Sequence, residues 1–147
     1  MRLIFTKRDG KYDDLVIERD GREPEKITNP KQGIIPHDMV HYGVESVLSH
    51  RGFLSLVAQG EGAVFATVGG ETEDAVERLV ESFQAEMWGG RVPAEELLGT
   101  YLIACEARGH GAVPVSEADV EAVRARLDEL SAQWAAVPIN GSLVLEL

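Results

Sequence analysis

The chain has 147 residues and a mass of 16.0 kDa, the size of one domain, and its 44% hydrophobic and 27% charged composition separates it from disordered, collagenous and disulfide-scaffold proteins. A formal charge of -11, from 14 basic and 25 acidic side chains, argues against nucleic acid and anionic membrane surfaces as partners, since both repel a polyanion. The single cysteine, Cys105, excludes an internal disulfide and a multi-cysteine metal cluster and fits a cytoplasmic home, while no apolar run is long enough for a signal-peptide core or a bilayer crossing.

The first 31 residues carry eight basic and seven acidic side chains, so the acidity belongs to the rest, which holds six basic against eighteen acidic. Leu3-Ile4-Phe5 and Leu15-Val16-Ile17 are β-favouring runs on either side of Asp9-Gly10, a hairpin signal. After Asp20-Gly21, Lys26-Ile27-Thr28 reads as a short third strand that Asn29-Pro30 breaks. Pro36 then suits the first turn of a helix carrying Met39, Val40, Val44, Val47 and Leu48 at helical spacing toward Arg51-Gly52. The apolar stretch from Phe53 to Val68, interrupted at Gly60 and Gly62, fits a buried helix turn, a strand, or one of each.

A second helix is expected with Thr72 as its N-cap and Glu73 and Asp74 at the positive end of its dipole; Val76, Leu79, Val80, Phe83 and Met87 form its apolar face, and Gly89-Gly90 ends it. A third opens at Pro93, turns Leu97, Leu98, Tyr101, Leu102 and Cys105 inward, and closes at Gly109. The fourth starts with a Ser116/Asp119 capping box and carries Val120, Val123, Leu127, Leu130 and Trp134. Pro138 stops it, and Asn140-Gly141 turns the chain into a terminal strand, Leu143-Val144-Leu145. The expected fold is a single α+β domain spanning residues 1–147. A small antiparallel sheet, made from the N-terminal hairpin and the C-terminal strand, packs against about four helices with the termini close together. A mostly helical domain with peripheral strands is the alternative.

Chemistry concentrates in Pro36-His37-Asp38-Met39-Val40-His41-Tyr42-Gly43-Val44-Glu45. Two histidines four apart on a helix share a face one turn, ~6 Å, apart, so their imidazoles can share a divalent metal such as zinc. His37-Asp38-x-x-His41 partly resembles the H-E-x-x-H helix of zinc metallopeptidases, with Asp38 standing one methylene short where that family places its catalytic glutamate. The resemblance implies metal-dependent, hydrolase-like chemistry and brings no third ligand. Glu45 lies eight residues from His37, a rise of ~12 Å, too far to join it on one ion, yet it reaches His41 as an orienting carboxylate. Asp38 and Glu45 are therefore the catalytic candidates and His37 and His41 the metal ligands, with His50, His110 and Glu106 the third-ligand candidates by residue type. The same residues also suit a helix start without metal: Asp38 complements the dipole, and His37 and His41 border the apolar face of Val40, Val44 and Val47. The segment Ile35-Pro36-His37-Asp38-x-x-His41-x-x-Val44-Glu45 resembles a stretch found in small uncharacterised bacterial proteins, which implies a prokaryotic source and a shared site or fold element but no activity.

Elsewhere, Cys105 lies on an apolar helix face and reads as a buried thiol. Gly60, Gly62, Gly69 and Gly70 lack the companions of a phosphate loop, and Ser46, Ser49 and Ser55 lack a nucleophile elbow. Glu71, Glu73, Asp74, Glu77, Glu81 and Glu86 read as a solvated helix face. Besides the metal-binding, hydrolase-like protein, the second functional expectation is a non-catalytic interaction module. It would be homo-oligomeric or bind a basic protein partner, through the acidic helical surface or the apolar face of the last helix.

Overall fold

The structure, a computed structural model, describes residues 1–48, 54, 57 and 70–147. Four strands, β1 (Arg2–Thr6), β2 (Tyr12–Glu18), β3 (Glu25–Pro30) and β4 (Ser142–Glu146), form an antiparallel sheet in the order β3-β2-β1-β4. Alternation decides which face packs: Leu3, Phe5, Leu15, Ile17 and Leu145 point into the core, while Arg2 on the opposite face pairs with Glu18 and Glu146 of both neighbouring strands. Each of those apolar side chains contributes on the order of 2 kcal/mol by leaving water. The hairpin expected around Asp9-Gly10 is present, with Gly10 at φ 106°. Its connection runs from Lys7 to Lys11 because Asp13, buried on β2, holds the Arg8 N–H and the Lys31 ammonium. The main-chain bonds between Met1 and Leu147 close the sheet at the termini.

Among the described residues the sheet is joined by α1 (His37–Val47), α2 (Glu71–Gly89), α3 (Ala94–Ala107) and α4 (Glu117–Ala135). This is the expected α+β arrangement of an N-terminal hairpin, a C-terminal strand and helices. Helix α1 packs on α2 and α4, and α3 packs on both α2 and α4. Gly43 sets the approach of α1 to α4: a Cβ there would meet Leu127 Cδ2 at 2.6 Å. Val120, Val123, Leu127, Leu130 and Trp134, the apolar face of the last helix, are all buried in the chain's own core. The Ser116/Asp119 box caps α4 reciprocally, with bonds of 3.0 and 2.9 Å.

Four local expectations change. Asn29-Pro30 ends β3 rather than preceding a break, since Pro30 pairs with Tyr12 at the last position of an edge strand, where a missing N–H costs nothing. Helix α2 begins at Glu71, two residues before the Glu73 start that a Thr72 cap would give, because the Glu73 carboxylate accepts the Gly70 N–H at 2.9 Å and fixes the first turn there. Leu102 faces outward with 53% of its surface exposed, since the buried stripe of α3 is Leu97, Tyr101 and Cys105, and Leu102 lies about 100° round the helix from Tyr101. Leu98 is only partly buried. The stretch 53–68 falls outside the described residues except for Leu54 and Val57, which are both buried.

Candidate metal centre

Helix α1 starts at His37 because Pro36 fixes the preceding backbone and its carbonyl accepts the N–H groups of Met39 and Val40. Asn29 on β3 anchors this first turn to the sheet by accepting the Asp38 N–H at 3.4 Å. One turn later His41 follows on the same face. Its side chain is 1% exposed against 36% for His37, and the two rings stand edge to face with centroids 4.8 Å apart.

Helix α2 brings Glu77 across to both. Its Oε2 lies 2.9 Å from His41 Nε2 and its Oε1 lies 3.4 Å from His37 Nε2. One ligand atom from each of the three residues lies within 4.8 Å of the others. The two Glu77 oxygens serve different histidines at hydrogen-bond distances. Atoms bound to one tetrahedral ion at ~2.0–2.2 Å stand ~3.3–3.6 Å from one another, so drawing this set, which spans up to 4.8 Å, onto one ion takes a side-chain shift of about 1 Å.

The remaining ring nitrogens are held from behind. His41 Nδ1 donates to Glu45 Oε2 at 2.9 Å, and the same oxygen accepts the Leu54 N–H at 3.3 Å; the Glu45 side chain is fully buried. His37 Nδ1 lies 2.9 Å from Gln84 Oε1, and Gln84 in turn meets Gln32 Nε2 at 3.1 Å. Both imidazoles thus turn Nε2 toward Glu77. Burial opposes charge on His41, but hydrogen bonds with the Glu45 and Glu77 carboxylates outweigh it and push the pKa up to about 10. Burial likewise opposes charge on His37, and its bond to Glu77 leaves the pKa above the ordinary histidine value. Burial would raise the Glu77 pKa, yet its hydrogen bonds to His37 and His41 hold it well below the usual carboxylate range. Two neutral imidazoles carrying their protons on Nδ1 would aim lone pairs at a carboxylate, so the arrangement demands a cation between the three groups, either protons or a metal ion.

The structure therefore joins His37 and His41, as their spacing implied, and supplies a third group, Glu77, that the spacing did not. Glu45 stands behind His41 and outside the three-residue cluster, and Asp38 is buried at the first turn of α1 with its carboxylate hydrogen-bonded to none of the described residues. Neither His110 nor Glu106 belongs to the cluster; His110 Nδ1 meets the Gly111 carbonyl and Glu106 is exposed. His50, Ser49, Ser55, Gly60, Gly62 and Gly69 lie outside the described residues. Cys105 is buried, and burial raises its thiol pKa.

The acidic run on α2 is not one solvated face. Glu77 reaches the histidines, Glu81 takes a two-pronged bond from Arg78, and buried Glu86 pairs with Arg124. Glu77 and Gln84 were hidden among residues of their kind, and the signal that could have found them is positional. They lie seven residues, two turns, apart and border the apolar stripe of Val76, Val80 and Phe83 on the same side. A groove of about 570 Å³ opens between residues 33–35, the end of α2 and α4, away from the cluster, and its charged groups already pair as Arg124 with Glu86 and Arg91 with Asp128. Among the described residues no helix is long and apolar enough to cross a membrane. No family model matches the chain, and no curated protein or solved structure matches it.

Proposed function

We propose that the protein binds a divalent first-row metal ion, zinc being the reference case, through His37, His41 and Glu77, and uses it in hydrolase-like chemistry. The observation that carries this reading is the convergence of two Nε2 atoms on one carboxylate, with each Nδ1 occupied by a separate acceptor. Imidazole and carboxylate suit zinc and its neighbours in the first transition row. Three protein ligands, two of them about one-third exposed, leave a coordination position for water or substrate. An ion there lowers the pKa of bound water toward ~7 and polarises a carbonyl or phosphoryl oxygen. Asp38, the carboxylate between the histidines, is the candidate base, and Glu45 orients His41 and raises its basicity as a ligand. On this reading the segment that resembles a stretch of small bacterial proteins is a ligand helix, and the buried single thiol suits the cytoplasm.

Elemental analysis of untagged protein tests the reading. One zinc, iron or manganese per chain is expected, lost in both His41→Ala and Glu77→Ala. A wild-type chain that binds no divalent ion at micromolar concentration overturns it. A second reading, self-association without catalysis, draws on Leu102 and Ile103, which are 53% and 69% exposed side by side on α3. Sedimentation equilibrium decides it: a dimer that Ile103→Glu dissociates supports it, and a monomer at high concentration removes it.

A further inference from the structure

We infer that Gln84 is a positioning residue that fixes the tautomer of His37 and thereby readies its Nε2 as a ligand, an inference that rests on the metal centre proposed above. The direction of every bond in the relay follows from one group that can only accept. Gln32 Nε2 lies 2.8 Å from the Ile35 carbonyl, so this end of the Gln32 amide is its donor. The same Nε2 lies 3.1 Å from Gln84, which must therefore present Oε1 to it. That oxygen lies 2.9 Å from His37 Nδ1, and an amide oxygen has no hydrogen to give, so Nδ1 carries the proton and Nε2 is left for Glu77 or an ion. A main-chain carbonyl in the turn before α1 thus sets the proton on a side chain of α1 by way of α2.

Burial and anchoring make the relay rigid. Gln84 is 6% exposed on α2, and one turn further on Trp88 Nε1 donates to the Gln32 carbonyl at 2.7 Å, pinning the turn that carries Gln32. The two histidines are also made unequal. His41 is backed by a carboxylate and wholly buried, whereas His37 is backed by a neutral amide and partly exposed. A neutral acceptor draws less on the Nδ1 proton than a carboxylate does, so His37 is the weaker and more exchangeable ligand.

Zinc alone is the probe, with affinity read by competition against a chromophoric chelator and the exchange protection of the His37 Nδ1 proton read from proton–nitrogen correlation spectra of the zinc-loaded chain. Gln84→Met, close in size but without an acceptor, should weaken zinc about tenfold to hundredfold, as the loss of an outer partner does, and should remove the protected His37 Nδ1 proton. Gln84→Glu should restore both and tighten binding beyond wild type. Gln32→Met, at a half-buried turn, should shift affinity the same way by less, and decides the matter if Gln84→Met does not fold. Zinc bound by wild type, Gln84→Met and Gln32→Met within about twofold, with unchanged His37 signals, overturns the role of Gln84 and leaves the centre standing. A wild-type chain that takes no zinc overturns the centre and this inference together.

Discussion

Glu77 and Glu86 are carboxylates on the same helix, the first about one-third exposed and the second buried, each set against side chains of a neighbouring helix, and they are met in opposite ways. Glu86 is buried against Arg124, which pairs with it through Nε and Nη2 and also reaches Glu121 and the Val92 carbonyl. A guanidinium carries its charge at every accessible pH, so that site is complete with protein atoms. Glu77 is met by two imidazoles, whose charge depends on what else is bound. The first arrangement closes the α2–α4 contact, and the second leaves the α1–α2 contact open to an exchangeable cation. Burial of a carboxylate on α2 therefore does not by itself mark function; the chemistry of the partner does.

The sharpest way to break the contrast is to remove the guanidinium. Arg124→Met strands Glu86 without a counter-charge and should cost about 3–5 kcal/mol in urea unfolding, with zinc stoichiometry unchanged in whatever remains folded. Glu77→Gln is the matching change at the open site, and it should weaken zinc by more than ~100-fold, beyond the range of an outer partner, while Glu86→Gln leaves zinc affinity as it was. A Glu77→Gln chain that keeps wild-type affinity would move the ion elsewhere.

The pH response separates the two sites next. In chelator-treated protein the folded-state pKa of His41 is raised, so its stabilisation is complete below the ordinary value of 6.5 and is lost as pH rises through about 10. The urea midpoint of metal-free protein should fall over that window, and zinc, by taking the place of the protons, should flatten the fall. Arg124, whose pKa Glu86 raises further, contributes no change there. A metal-free midpoint that stays level from pH 6.5 to 10 would show that His41 folds neutral. The smallest effect belongs to an ion pair of neither kind: Arg91 and Asp128 are 50% and 64% exposed, and Asp128→Asn should shift stability by less than about 0.5 kcal/mol.

The strands and helices were largely legible in the sequence because each expresses a local regularity. The β-favouring runs Leu3-Ile4-Phe5 and Leu15-Val16-Ile17 on either side of Asp9-Gly10 give the hairpin, 3.6-residue spacing gives the four helices of the described residues, and Ser116 with Asp119 marks the start of α4 to the residue. Where local rules failed, packing had decided. Pro30 is tolerated because β3 is an edge strand, and Leu102 turns outward because α3 buries only a narrow stripe.

The candidate site divides along the same line. One turn of helix places His37 beside His41 and Glu45 behind His41, and these relations are fixed by the sequence itself. Glu77 and Gln84 lie 36 and 43 residues beyond His41, and nothing in the spacing of one helix says which residue of another will face it. That was decided by the docking of α1 against α2 and α4, where Gly43 admits Leu127 and the apolar stripe of α2 sets its rotation. Sequence alone determined the elements and the paired histidines, because both depend on backbone periodicity. Tertiary structure alone chose their third partner, because that depends on which surfaces the core brings together.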